Sequence, residues 1–223
     1  ANNTLLERIR EQEAKTGRSF AAYLSGARWI HLSSLSAFDQ FEVIMQYVIQ
    51  AKSMNPALKV SMDPGSEYTS VWIDRLQPLI SQADFIFLNK TEKKNLGRNA
   101  KSARPLYRNL CDYFSEINPS PERVLIIKHD DRHELLSFED GKCKIRTVRH
   151  KKLYQYQLNN DTGAGDSFAG GFISGMLDER LNADLAGPVQ LGVLAAKGRM
   201  RSFDHEDPYL NIQSDAEKFF EKL

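Results

Sequence analysis

Four short runs in this chain are nearly continuous in apolar residues, and helical periodicity follows the first of them most clearly. They are Trp29-Ile30-His31-Leu32, Leu58-Lys59-Val60-Ser61-Met62, Asp84-Phe85-Ile86-Phe87-Leu88 and Arg123-Val124-Leu125-Ile126-Ile127. A strand with one face in water alternates polar and apolar side chains, whereas a strand covered on both faces does not. Parallel strands also need long connections, usually helices. The pattern therefore predicts a three-layer α/β/α sandwich around a mostly parallel, doubly wound sheet with right-handed crossovers.

The intervening segments fit. Phe41, Ile44, Met45, Val48 and Ile49 mark a helix over 38–54. Further helices are expected over 72–80 and 100–117, the second starting late because of Pro105. Asp63-Pro64-Gly65 reads as a turn. The first fifteen residues read as an exposed helix, with Leu5, Leu6 and Ile9 on one side. Beyond His133 the runs shorten. Segments 134–138, 142–148 and 153–158 look like strands, with a hairpin turn at Glu139-Asp140-Gly141-Lys142, and form an antiparallel edge to the sheet. Helices are expected over 164–177, 185–200 and 215–223.

Composition excludes several function classes. The formal net charge of the 223 residues is +1, which gives no electrostatic footprint for nucleic acid or a membrane surface. No apolar run approaches the roughly 20 residues that span a bilayer, and the N-terminus does not read as a signal peptide. The 2 cysteines, Cys111 and Cys143, are far apart in sequence and read as two separate thiols in a reducing compartment, so a cytoplasmic location is expected. The 5 histidines (His31, His129, His133, His150 and His205) are scattered, without the spacing of a zinc site.

The chemistry gathers in Asn160-Asp161-Thr162-Gly163-Ala164-Gly165-Asp166-Ser167-Phe168, between a strand and a helix. Small residues let the backbone turn tightly and approach a ligand. The N–H groups of a helix start attract anions, aided by the helix dipole. Gly163, Ala164 and Gly165 thus suit a phosphate. Asp166 places a carboxylate beside those amides, where it can act as a base toward an attacking hydroxyl. A simpler reading makes Asp166 a helix-capping residue. Gly170, Gly171 and Gly175 are expected to let this helix pack closely on its neighbours.

The whole string resembles the C-terminal signature of the ribokinase-like, or PfkB, carbohydrate kinases. That resemblance implies a ribokinase-like fold and ATP-dependent phosphoryl transfer to a hydroxyl of a sugar or sugar-like substrate. It makes Asp166 the base and Gly163, Ala164 and Gly165 the anion hole. Asn89-Lys90-Thr91-Glu92 resembles the family's Asn-x-x-Glu motif. It implies that Asn89 and Glu92 organise the nucleotide phosphates and Mg2+, Glu92 largely through water, a mode that suits this cation. Read alone, Thr91 and Glu92 would simply start a helix. Lys128, Thr162 and Asn160 complete the expected nucleotide-binding set. Family members often pair through their lids, which leaves a homodimer open.

The chain also departs from the pattern. Its Asn160-Asp161-Thr162 lead-in is displaced by one residue from the family's Asp-Thr-x-Gly, so Asn160 takes the place of the first aspartate. The family's Thr-x-Gly-x-x-Gly turn is replaced by Lys128-His129-Asp130-Asp131-Arg132-His133, where Lys128 could attract a phosphate and the aspartates would repel it. The alanine-rich adenine helix is only partly echoed in Leu194-Ala195-Ala196-Lys197-Gly198. Nothing before Trp29 resembles the family's opening strands, Gly-Gly-Asn segment or β lid. The expectation is a single domain over 1–223, incomplete at its N-terminus, with 1–25 as a helical lead-in. A nucleotide- or phosphate-binding regulatory module is the alternative function. A dinucleotide-dependent oxidoreductase would need Gly-x-Gly-x-x-Gly after the first strand, where serines stand instead.

Overall fold

A computed structural model describes residues 5–33, 38–70, 73–99, 106–117, 123–139, 142–151 and 162–201. The first helices are α1 (Leu5–Thr16) and α2 (Phe20–Ser25), the latter capped by the Ser19 hydroxyl, which accepts a hydrogen bond from the Ala22 amide. Strands β1 (Trp29–Leu32), β2 (Lys59–Met62), β3 (Phe85–Leu88) and β4 (Val124–Lys128) pair in parallel, each with the next. Between them run α3 (Phe38–Met54), then α4 (Gly65–Ser70) and α5 (Ile73–Ile80), then α6 (Lys90–Asn99) and α7 (Leu106–Ile117). Among the described residues, strands β5 (Arg132–Glu139) and β6 (Lys142–Arg149) extend this to a six-stranded sheet in the order β1-β2-β3-β4-β5-β6. Only three residues separate β4 from β5, too few for a parallel return, so the edge is antiparallel as expected. Two helices follow, α8 (Ala164–Leu177) and α9 (Ala186–Arg201).

The expected boundaries hold to within a residue or two for the parallel strands and for α3, α8 and α9. Helices α2 and α4 were not foreseen, and α6 was read only as a helix start at Thr91 and Glu92. The first two are single turns and a half, and α6 is too polar to show a stripe. The expected strand at 153–158, the helix at 215–223 and the hairpin residues Asp140 and Gly141 lie outside the described residues.

The chain divides into two compact units. One comprises 1–127 and 136–144, the other 128–135 and 145–223. In the first, one face of the sheet presents Leu32, Val60, Met62, Ile86, Leu88, Leu125 and Ile127 to a core shared with Phe41, Val48, Leu76, Leu79, Leu110 and Phe114. The opposite residues of the same strands, Ser61, Phe85, Phe87 and Ile126, are buried as well. Burial on both faces is why these strands are continuous in apolar residues.

Two charged groups inside this unit are held by hydrogen bonds. Arg123 is 1% exposed; its Nε donates to the Ala83 carbonyl and its Nη2 to the Ser81 carbonyl, both at 2.9 Å. Asp84 accepts from the Val60 amide at 2.7 Å and pairs with Lys52. These bonds pin the turn before β3 to its neighbouring strands.

The two cysteines overturn an expectation. Cys111 on α7 and Cys143 on β6 form a disulfide, their Cα atoms 5.8 Å apart. Distance along the sequence does not measure distance in the fold, so the reading of two separate thiols does not hold, and the argument it made for a reducing compartment goes with it.

In the second unit α8 and α9 cross at backbone contact. A β-carbon on Gly171 would fall 2.8 Å from the Leu191 carbonyl oxygen, and one on Gly175 would fall 2.7 Å from the Pro188 Cα. Gly170 has nothing within 4 Å of that position. Two of the three glycines expected to permit close packing do so; Gly170 faces outward.

Candidate active site

The glycine turn at residue 163 starts α8. Gly163 takes φ 79° and ψ 3°, the left-handed region that favours glycine, and its carbonyl accepts the first helical bond from the Ser167 amide at 2.9 Å. No side chain caps this helix. A glycine N-cap brings no oxygen of its own to the first amides, those of Ala164, Gly165 and Asp166, so they suit an external anion. Asp166 lies in the first turn and is exposed. Its side chain does not serve as the N-cap, since Gly163 holds that position. Thr162 is exposed just before the turn, and Asn160 and Asp161 lie outside the described residues.

Asn89 and Glu92 form a second construction, at the end of β3. The Asn89 side-chain oxygen accepts from the amides of Thr91 and Glu92 at 2.8 and 2.9 Å, while the Glu92 carboxylate accepts from the Asn89 amide at 2.8 Å and from its Nδ2 at 2.7 Å. This is a reciprocal capping box, so the simpler reading of the pair is structurally present. Glu92 is 3% exposed. With both oxygens engaged by Asn89, the carboxylate fits a water-bridged contact to magnesium better than a direct one. Among the described residues no group of three or more His, Cys, Asp or Glu side chains could hold a metal ion.

The turn after β4 builds a third feature. Its charges compensate each other: Arg132 lies 3.0 Å from Asp131 and 3.5 Å from Glu134, and His129 lies 3.1 Å from Glu134. The repulsion expected of Asp131 toward a phosphate is thus partly cancelled by Arg132. His133 and His150, scattered in sequence, meet at 3.0 Å between their ring nitrogens. His133 also stacks on Phe168 of α8, ring centroids 4.6 Å apart. Burial, followed by the neighbouring His150, drives the His133 pKa down to about 3.

Lys128, Thr162, Gly163, Ala164, Gly165 and Asp166 all belong to the second unit, whereas Asn89 and Glu92 belong to the first. Sequence reasoning missed His133, His150 and Phe168, and it missed Arg199 of α9. The Nε of Arg199 comes to 3.5 Å from the position a β-carbon on Gly163 would take. No motif marks that arginine. Elsewhere, α1 and α2 border a cleft of about 620 Å³ lined by Ile9, Gln12, Phe20 and Tyr23 among others, and none of the candidate residues lines it.

The profile of the pfkB family of carbohydrate kinases matches residues 3–203. This chain belongs to the pfkB family. The match takes in α1 and α2, upstream of the first strand. A nucleoside kinase of Methanocaldococcus jannaschii is 26% identical over 115 residues, covering 52% of this chain and 33% of that protein. Among solved structures, an adenosine kinase of Anopheles gambiae, in complex with a di(adenosine) tetraphosphate, aligns with a TM-score of 0.68 at 19% identity. It covers 91% of this chain and 57% of its own. The ribokinase of Giardia lamblia aligns with a TM-score of 0.67 at 16% identity, over 88% of this chain and 62% of its own. The fold is therefore ribokinase-like, mostly parallel with an antiparallel edge. The chain spans about a third of the length of the curated relatives it matches and somewhat over half of these solved structures.

Proposed function

We propose that this pfkB-family chain carries the phosphoryl-transfer part of an ATP-dependent kinase whose acceptor is a hydroxyl of a nucleoside or a related sugar. The observation that carries this reading is the start of α8: a left-handed glycine N-cap with no side-chain cap, and an exposed aspartate in the first turn. The amides of Ala164, Gly165 and Asp166 stabilise charge on the moving phosphoryl group, and the Asp166 carboxylate takes the proton of the attacking hydroxyl. Thr162, Asn160 and Lys128 contribute polar and cationic contacts to the nucleotide. Magnesium, when bound with ATP, screens phosphate charge, and Asn89 with Glu92 would hold it through water. A nucleoside acceptor is favoured over a free sugar by the named relatives, a nucleoside kinase and an adenosine kinase.

The test is transfer of labelled phosphate from ATP to adenosine, inosine, ribose and hexoses, by the wild-type chain and by Asp166→Asn. Loss of the base should lower turnover by roughly 10²–10⁴-fold while ATP still binds. Normal turnover in Asp166→Asn refutes the role of the carboxylate. A nucleotide- or phosphate-binding regulatory module remains the second reading. It is favoured by the glycine-free turn that follows β4, with its acidic Asp131. ATP binding with no transfer to any acceptor would select it.

A further inference from the structure

Arg199 stands in the last turn of α9, far from the glycine loop in sequence, yet its Nε lies 3.5 Å from where a β-carbon on Gly163 would sit. A β-carbon there would be in van der Waals contact with Arg199, so the arginine lies beside the residue that caps α8. Both helices lie in the same compact unit. Their relation is set by backbone contact: a β-carbon on Gly192 of α9 would meet the Phe168 carbonyl oxygen at 2.8 Å, in addition to the contacts at Gly171 and Gly175. Arg199 is thus presented to the turn by two helices that cannot slide past one another without a backbone clash. A basic residue near a helix C-terminus also serves the helix dipole. Arg201 meets that need equally, so the dipole does not account for the approach to Gly163.

We propose that Arg199 is a phosphate-binding residue of this site, supplying a guanidinium beside the amides that open α8. The inference rests on the phosphoryl-transfer reading above. Its chemistry is complementary. The amides offer oriented partial charge, and the guanidinium adds a full positive charge with several N–H donors in a fixed plane, suited to phosphate oxygens. It also compensates for the turn after β4, which has neither glycine of the family pattern.

Calorimetry with the non-hydrolysable imido analogue of ATP and with AMP, in the presence of magnesium, tests the assignment. Arg199→Gln should weaken the triphosphate analogue by tenfold or more and AMP by less than twofold. Arg199→Lys, which keeps the charge and loses the planar fork, should fall between. A role confined to packing would weaken both ligands alike, and that result, or unchanged affinity for both, overturns the proposal. Should Arg199→Gln fail to fold, Arg199→Lys is judged by the same comparison: a loss of threefold or more confined to the triphosphate supports it, and wild-type affinity overturns it. A wild-type chain that binds neither ligand refutes the phosphoryl-transfer reading itself, and Arg199 with it. Wild-type binding with an unaffected variant refutes Arg199 alone.

Discussion

Gly170 and Gly171 are neighbours on α8, and replacing each by alanine should move stability in opposite directions. In a helix interior alanine is favoured over glycine by about 1 kcal/mol, because glycine loses more backbone entropy on folding. At Gly170 nothing lies within 4 Å of the new β-carbon and the residue is exposed, so that gain is realised. At Gly171 the β-carbon would fall 2.8 Å from the Leu191 carbonyl oxygen and 2.9 Å from both the Ala195 Cβ and the Gly192 Cα. Two of those three atoms are backbone, and none can rotate aside. Relief requires α9 to move away from α8. Overpacking costs about 1–3 kcal/mol, and a backbone-to-backbone clash belongs at the upper end. After the propensity gain, Gly171→Ala should lose about 2 kcal/mol. For a chain of this size 1 kcal/mol corresponds to about 2–4 °C in Tm. Gly170→Ala should therefore melt about 2–4 °C higher than wild type and Gly171→Ala about 4–8 °C lower, followed by circular dichroism and checked by urea titration. A Gly171→Ala protein as stable as wild type would show that α8 and α9 are not in backbone contact, and would remove the basis for the fixed approach of Arg199.

Three other expectations follow from buried groups. His133 has a folded pKa of about 3 against about 6.5 unfolded, so between those values the unfolded chain binds more protons and stability falls as pH drops; at pH 5 the ideal loss is about 2 kcal/mol. Comparing melts of wild type and His133→Gln from pH 8 to pH 5 should show a shallower acid slope in the variant, and identical slopes would contradict the linkage. Arg123→Met should destabilise the first unit by about 2–4 kcal/mol, since the Ser81 and Ala83 carbonyls lose their buried donor; a change below about 0.5 kcal/mol in urea unfolding would mean that water replaces it. The Cys111–Cys143 disulfide closes a span of 32 residues, worth about 3–4 kcal/mol in the chain-entropy account, so Cys111→Ser with Cys143→Ser should melt markedly lower than the oxidised chain. Mass spectrometry of peptides prepared without reductant gives the direct check.

The parallel strands and α8 were legible in the residues because their signals are local. A strand buried on both faces must be apolar throughout, and Phe85-Ile86-Phe87-Leu88 is. A helix that opens on a left-handed residue needs a glycine such as Gly163. The pairing of Asn89 with Glu92 was equally local, although the capping box that it forms serves the helix whether or not a cation is ever bound. Helix α6 was legible only at its start, because its polar sequence carries no apolar stripe and its length depends on that cap and on packing. The contacts that turn a glycine loop into a candidate site were settled by tertiary structure. His133 meets His150 because β5 and β6 run antiparallel, and Cys111 meets Cys143 because α7 packs beside β6. Arg199 comes close to Gly163 because Gly171, Gly175 and Gly192 let two helix backbones touch. Such pairs have no signature in spacing, since the distance between them is set by the register of strands and the crossing of helices, which depend on every side chain in the interface at once.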